Sequence, residues 1–171
     1  MNLRISRKPG QPERGLLSFG EQRLACALGR SGIRALKREG DGATPAGCWL
    51  LRRVLYRPDR VTRPRTRLPV KAITPAMGWC DTPGDRNYNR AVRLPYPAGC
   101  EALWRDDRIY DILVILSHNE RPRVRGHGSA VFLHLARPGY TPTEGCVALS
   151  EAALRRVLAA SGPDTRLCIP G

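Results

Sequence analysis

Two side chains in this sequence have the chemistry of a nucleophilic catalyst and are close enough along the chain to be joined by one turn: His134 and, twelve residues later, Cys146. An imidazole beside a thiol can take its proton and leave a thiolate, the form in which cysteine attacks a carbonyl carbon. In the stretch SAVFLHLARPGYTPTEGCVALS, Ser129 to Ser150, the first residues alternate as a strand does. Ala130, Phe132, His134 and Ala136 share one face, and Val131, Leu133 and Leu135 the other. His134 is therefore expected mid-strand. The connector RPGYTPTEG, rich in turn formers, then delivers Cys146. On the residues alone two readings stand: a dyad assembled by the turn, or a buried strand histidine and a small buried cysteine that never meet.

The other elements must hold that turn in place. In DILVIL, Ile112, Val114 and Leu116 alternate with Leu113 and Ile115. A run apolar on both faces predicts a strand central in its sheet. His118 and Asn119 end it. After Cys146, Ser150 suits the N-cap of a helix EAALRRVLAAS, with Glu151 in its first turn and an apolar stripe of Leu154, Val157 and Leu158. Gly162 and Pro163 stop it, and RLCIP predicts a last strand. At the other end NLRIS, GLLSF and RLACAL read as an antiparallel meander, and CWLLRRVLY as a further strand. REGDGATPAG, Arg38 to Gly47, reads as a hairpin turn, because neither a Gly-Lys-Ser/Thr nor a helix follows to make it a phosphate cradle. Arg57 to Lys71, dense in Arg and Pro, is expected to be an exposed connection. Ile73 to Tyr96 is expected to be an irregular loop, and EALWRDDRIY a short helix or helical turn. Trp79, Asp81 and Tyr88 in that loop are candidates for binding, while Trp79 and Tyr88 equally suit pinning it to the core. The sum is a mainly β protein with one main helix.

The 171 residues are expected to form a single domain, 1–171, with a basic N-terminal half, 1–75, and a catalytic core, 111–171. The net charge of +14 is uneven: residues 1–75 carry 17 Lys/Arg against 5 Asp/Glu, and residues 76–171 carry 12 against 10. The basic half could dock a polyanion, or it could express a general preference for arginine, since Lys occurs only at positions 8, 37 and 71. The six cysteines include no Cys-x-x-Cys pair, so no metal site is expected. Their even number permits disulfides without assigning them, and Cys26 and Cys48, in alternating strand patterns, read as small core residues. The opening MNLRISRKPGQPERG is polar and broken by Pro and Gly, and no stretch approaches the ~20 apolar residues of a membrane span. A soluble chain without a recognisable leader is expected.

The stretch around Cys146 resembles the catalytic core of the L,D-transpeptidases of bacterial peptidoglycan, the YkuD domain family, whose pattern is a strand His, a variable loop, and Ser/Thr-His-Gly-Cys. His134 matches the first histidine, Thr143 the Ser/Thr, Gly145 the glycine and Cys146 the nucleophile. Glu144 replaces the second histidine, and Ala148 stands where Arg or Asn often follows. KREGDGATPAGCWLL, Lys37 to Leu51, resembles the family's Lys-x-Gly-Asp-x-x-Thr-Pro-x-Gly-x-Phe segment, with Trp49 in the aromatic place. With GWCDTPGDRNYNR and LWRDDRIYD, these stretches are similar to a short single-domain proteobacterial branch.

The resemblance implies a compact β-sandwich or mixed sheet with the helix beside it, and acyl transfer without a cofactor. Cys146 would attack a meso-diaminopimelate carbonyl of a donor stem peptide, and His134 would be its base. The backbone of Glu144 to Cys146 would supply oxyanion donors, with Gly145 allowing close approach and Thr143 in support. Glu144, two residues from Cys146 in an extended segment, is expected to face the same way, either paired to an Arg or to protonated His134 or turned to solvent. Candidates for substrate contact are Trp79, Asp81, Tyr88, His118, Asn119, Arg137 and Tyr140. The partners implied are donor and acceptor stem peptides, not nucleic acid; the chain would act as a monomer in the periplasm. The link formed, 3,3 or 1,3, is open. So are a hydrolytic relative of the same chemistry and a non-enzymatic basic binding module in which Trp79 and Tyr88 stack bases.

Overall fold

In the computed structural model, which describes residues 1–171, the first three strands form the expected meander: β1 (Asn2–Lys8), β2 (Gln11–Phe19) and β3 (Gln22–Ala27), paired antiparallel in order. Period-2 alternation turns Leu3, Ile5, Leu17, Leu24 and Cys26 inward, and all are buried. Next come β4 (Ile33–Arg34) and β5 (Thr44–Pro45), which pair parallel, so the REGDGATPAG loop is not a hairpin turn. The Asp41 carboxylate accepts the N–H groups of Arg38 and Ala43 and the Lys37 ammonium. That turn chemistry folds the loop back and sets Thr44 beside Ile33, against the hairpin expectation.

The long strand β6 (Gly47–Tyr56) is followed by β7 (Val70–Ala72), then by β8 (Met77–Cys80), β9 (Arg90–Arg93) and β10 (Cys100–Ala102), which form a separate antiparallel sheet. The expected irregular loop therefore contains two strands, and the expected helical turn at 101–110 begins as β10. These strands are three or four residues long and rich in Gly, Arg and Cys, which leaves no alternation to read. The connection 57–71 is less exposed than expected. Arg57, only 3% exposed, lies over the Trp104 ring at 3.5 Å and donates to Asp59 and to Arg105 O. Leu68 enters the main core.

The chain ends with β11 (Ile112–Leu116), β12 (Phe132–Leu135), β13 (Val147–Leu149), α1 (Glu151–Ala160) and β14 (Arg166–Ile169). Ser150 caps α1 by accepting the Ala153 N–H, as expected. The main sheet is mixed and nine-stranded, in the order β11-β12-β13-β3-β2-β1-β14-β6-β7. Because β11 also pairs with β6, the sheet folds over and closes on itself as a compact sandwich. Its interior holds 23 buried apolar residues, among them Ala153, Leu154, Val157 and Leu158 of α1. A second cluster of ten, including Trp79, Leu113, Ile115, Phe132 and Cys146, fills the space between β11–β12 and the small sheet. Apolar cores on both sides explain why DILVIL is apolar on both faces. The site lies in the second cluster.

Cys26 is a free core thiol as expected, but Cys48 is not: it forms a disulfide with Cys168, directly opposite it in the β6–β14 ladder. No helix is long and apolar enough to cross a membrane.

Candidate active site

Strands β12 and β13 are parallel neighbours, with His134 opposite Ala148. Cys146 sits one residue before β13, two before Ala148, so it shares a face with His134 by strand periodicity. The ladder thus brings together the pair separated by the turn, and both line one cavity of about 340 Å³. The His134 Nδ1 lies 2.9 Å from Leu135 O. A carbonyl can only accept, so Nδ1 carries the proton and Nε2 the lone pair. The edge of the Tyr110 ring packs on the imidazole, with ring centroids 5.4 Å apart. The Cys146 Sγ accepts the Phe132 N–H at 3.3 Å and donates to Ala130 O at 3.2 Å. Ala130 holds that carbonyl in place from the left-handed region, φ +50°, an uncommon conformation for a residue with a side chain.

Burial makes both groups resist charge. The thiol is pushed up to about 12, by desolvation first and by the Glu101 carboxylate second, against the lowering effect of the Phe132 N–H. The imidazole is pushed down to about 4, again by desolvation, partly offset by Leu135 O. The resting pair is thiol plus neutral imidazole. His118 is likewise held down to about 4 by burial. Unfolded, both imidazoles protonate near pH 6.5; folded, they do not until about pH 4. Stability present above pH 6.5 is therefore lost as the pH falls, by up to about 1.4 kcal/mol per unit for each histidine. Urea midpoints are expected to drop steeply between pH 7 and 5, and the His118→Gln substitution to flatten the fall; equal midpoints in the wild type would contradict this.

The turn before Cys146 is fastened from three sides. The Thr143 hydroxyl donates to Cys146 O at 2.7 Å and accepts the Gly145 N–H at 3.1 Å. Thr143 also bridges to Gly29 beyond β3, through its N–H to Leu28 O and its O from Arg30 N–H. Gly145 has φ +132°, and a Cβ there would lie 2.7 Å from Ala43 O. The Cys146 N–H donates to no acceptor within the protein, which leaves it free for an incoming oxygen. Gly145→Ala should strain this turn by about 1–3 kcal/mol and displace Cys146. Lowered thermal stability with turnover reduced more than tenfold is expected, and a fully active variant would count against the geometry.

Beneath the turn lies a group that the residue pattern did not single out. Lys37, 8% exposed, pairs with Asp41 and donates to Arg38 O, and its Nζ would be 3.5 Å from a Cβ on Gly145. It is a buried cation lowering the proton affinity of the Cys146 thiol. Tyr110, Glu101 and Arg105 also line the cavity and were not among the candidates. Tyr110 donates to Glu101 at 2.6 Å. They lie in EALWRDDRIY, where no strand or helix pattern fixed which way any residue faced.

The other candidates divide. Asp81 and Arg137 line the cavity, Asp81 with its carboxyl pushed up by burial and Arg137 held by Asp107. Glu144 lies at the rim with its side chain 77% exposed and pairs with Arg30, so its partner is an arginine and not His134. Trp79 is a core residue instead: its indole N–H donates to Asn89, and its ring packs edge-on against Phe132. Tyr88 is buried and donates to Glu39, itself on the cavity wall. Both aromatics pin their loop, as one of the two readings had it. His118 and Asn119 face a different cavity, of about 440 Å³, with Trp49, Arg38 and Arg121. His118 packs on Trp49 and approaches His127 O, and Asn119 holds Val124 and Gly128. Tyr140 ends a short 3-10 turn, half-buried, and is not part of the cavity wall.

No group of three or more His, Cys, Asp or Glu side chains is arranged to hold a metal ion. No curated protein and no solved structure matches the chain. The sequence model of the L,D-transpeptidase catalytic domain, YkuD, matches residues 13–169, a span that contains all of the cavity wall and every strand of the closed sheet but β1 and the first two residues of β2. The chain therefore belongs to the L,D-transpeptidase (YkuD) family of cysteine-dependent enzymes that act on peptidoglycan.

Proposed function

We propose that the chain, acting as a single catalytic unit, forms crosslinks between peptidoglycan stem peptides through a thioester on Cys146. The observation that carries this reading is the shared face of Cys146 and His134 on adjacent strands, opening into a cavity beside an unengaged Cys146 N–H. In the first step His134 Nε2 takes the thiol proton as Sγ attacks the diaminopimelate carbonyl. The Cys146 N–H receives the oxyanion, and the imidazolium returns its proton to the departing amine. In the second step an amine of the acceptor stem loses a proton to the same nitrogen and displaces the thiolate. Lys37 offsets the negative charge that develops beside Gly145.

The cavity wall supports a diaminopimelate donor in particular. Its side-chain stereocentre carries both an ammonium and a carboxylate. The wall presents Asp81 and Glu101 as acceptors and Arg105 and Arg137 as donors, so both signs find partners. Such a substrate would put the enzyme in the periplasm. The test is incubation with muropeptides from a diaminopimelate-containing wall. Crosslinked dimers are expected, and their fragmentation reads 3,3 or 1,3 linkage; shortened monomers alone would point to the hydrolytic reading, and neither product would refute the proposal.

A further inference from the structure

We infer that Cys80 and Cys100 are a second disulfide site, whose closure fixes the small sheet that walls the catalytic cavity. Both are free thiols in the structure, and the β8–β10 register sets them directly opposite each other. Main-chain bonds run from Asp81 N–H to Gly99 O at 3.3 Å and from Leu103 N–H to Met77 O at 3.0 Å. In an antiparallel ladder hydrogen-bonded and non-hydrogen-bonded pairs alternate, which makes 80/100 a non-hydrogen-bonded pair. The Cα atoms of such a pair lie about 4.5 Å apart with their side chains on one face, within the ~4.4–6.8 Å span of disulfides. The chain already uses this arrangement once: Cys48 and Cys168 are directly opposite in an antiparallel ladder, with Cα atoms 4.0 Å apart, and are bonded. Cys26 and Cys146, by contrast, have no cysteine opposite them.

The two thiols also differ in a way that orders the chemistry. Cys80 is fully buried and Cys100 is half-exposed. A small disulfide oxidant such as oxidised glutathione is attacked by the Cys100 thiolate, which expels one glutathione thiolate. The Cys80 thiolate then attacks the Cys100 sulfur and expels the second. One protein disulfide forms, one glutathione disulfide is reduced, and the two thiol protons end on the two released glutathiones. The consequence reaches the site because strand residues alternate: Asp81 and Glu101, each next to one cysteine, point to the opposite face and line the cavity. The bond holds those two carboxylates at a fixed spacing.

The experiment equilibrates the folded protein with oxidised glutathione, unfolds it in acid, alkylates every free thiol and measures the intact mass. Two alkylations are expected, at Cys26 and Cys146, and a tryptic digest without reductant should contain residues 72–86 linked to residues 94–105. The Cys100→Ser variant, treated alike, should be alkylated three times, at Cys26, Cys80 and Cys146. Four alkylations in the wild type, glutathione adducts in place of the linked peptides, or loss of the Cys80 thiol in Cys100→Ser would each overturn the inference.

Discussion

Cys146→Ala is expected to reduce turnover of peptidoglycan substrates to background, a loss on the order of 10³-fold or more, while the protein stays folded. The substitution removes the proposed nucleophile together with two weak hydrogen bonds, from Phe132 N–H and to Ala130 O. The stability change should be about 1 kcal/mol, because the alanine still fills most of the site. Cys26→Ala supplies the matched control. Cys26 is also a buried thiol, 1% exposed in the main core, and its loss should destabilise the fold by a similar amount. Activity should nevertheless survive in Cys26→Ala. Equal stability with unequal turnover separates a chemical role from a packing one; wild-type turnover in Cys146→Ala would remove the cysteine from the reaction.

His134→Gln is expected to cost about 10²–10⁴-fold in the acylation step, the usual worth of a positioned base. The amide can still donate to Leu135 O, so the strand should keep its shape. The pH profile distinguishes a base from a mere spacer. A histidine of ordinary character would have given a group titrating near pH 7, but burial holds this imidazole down to about 4 and the thiol up to about 12. The rate of Cys146 alkylation should therefore fall only as the pH drops through the region near 4, with both limbs belonging to the pair. In His134→Gln only free thiolate would react, so the level region above pH 4 should be lost and the rate should fall about tenfold with each pH unit below the thiol's own titration. An identical profile in the two proteins would exclude His134 as the base.

The features legible in the sequence were those with a long or repeated pattern. The meander, DILVIL, the His134 strand and the capped helix each carry a periodicity that survives folding, because each buries one defined face or two. Cys146 and His134 were legible as a pair only through the family pattern: the residues alone left two readings open, and strand parity puts them on one face only because β12 and β13 pair. The cavity wall was not legible. Glu101, Arg105 and Tyr110 sit in and after β10, three residues long, whose partner strand β8 is twenty residues away in the chain. No local pattern encodes such a pairing. His118 and Asn119 were candidates because they end the β11 strand, and the fold turns them into the cavity beside Trp49 instead. Cys48 looked like a core residue because a cross-strand disulfide partner 120 residues away leaves no trace in alternation.

A thioester on Cys146 can be weighed on the intact protein while it turns over substrate. Protein mixed with a diaminopimelate-containing donor muropeptide, quenched in acid within seconds and unfolded, should gain the mass of the donor less its departing amino acid. Peptide mapping should place that mass on Cys146, and hydroxylamine should release it as a thioester would be released. Adding an acceptor stem should discharge it. Crosslinked product formed with no adduct on Cys146 at any time, or an adduct that persists in Cys146→Ala, would contradict the account.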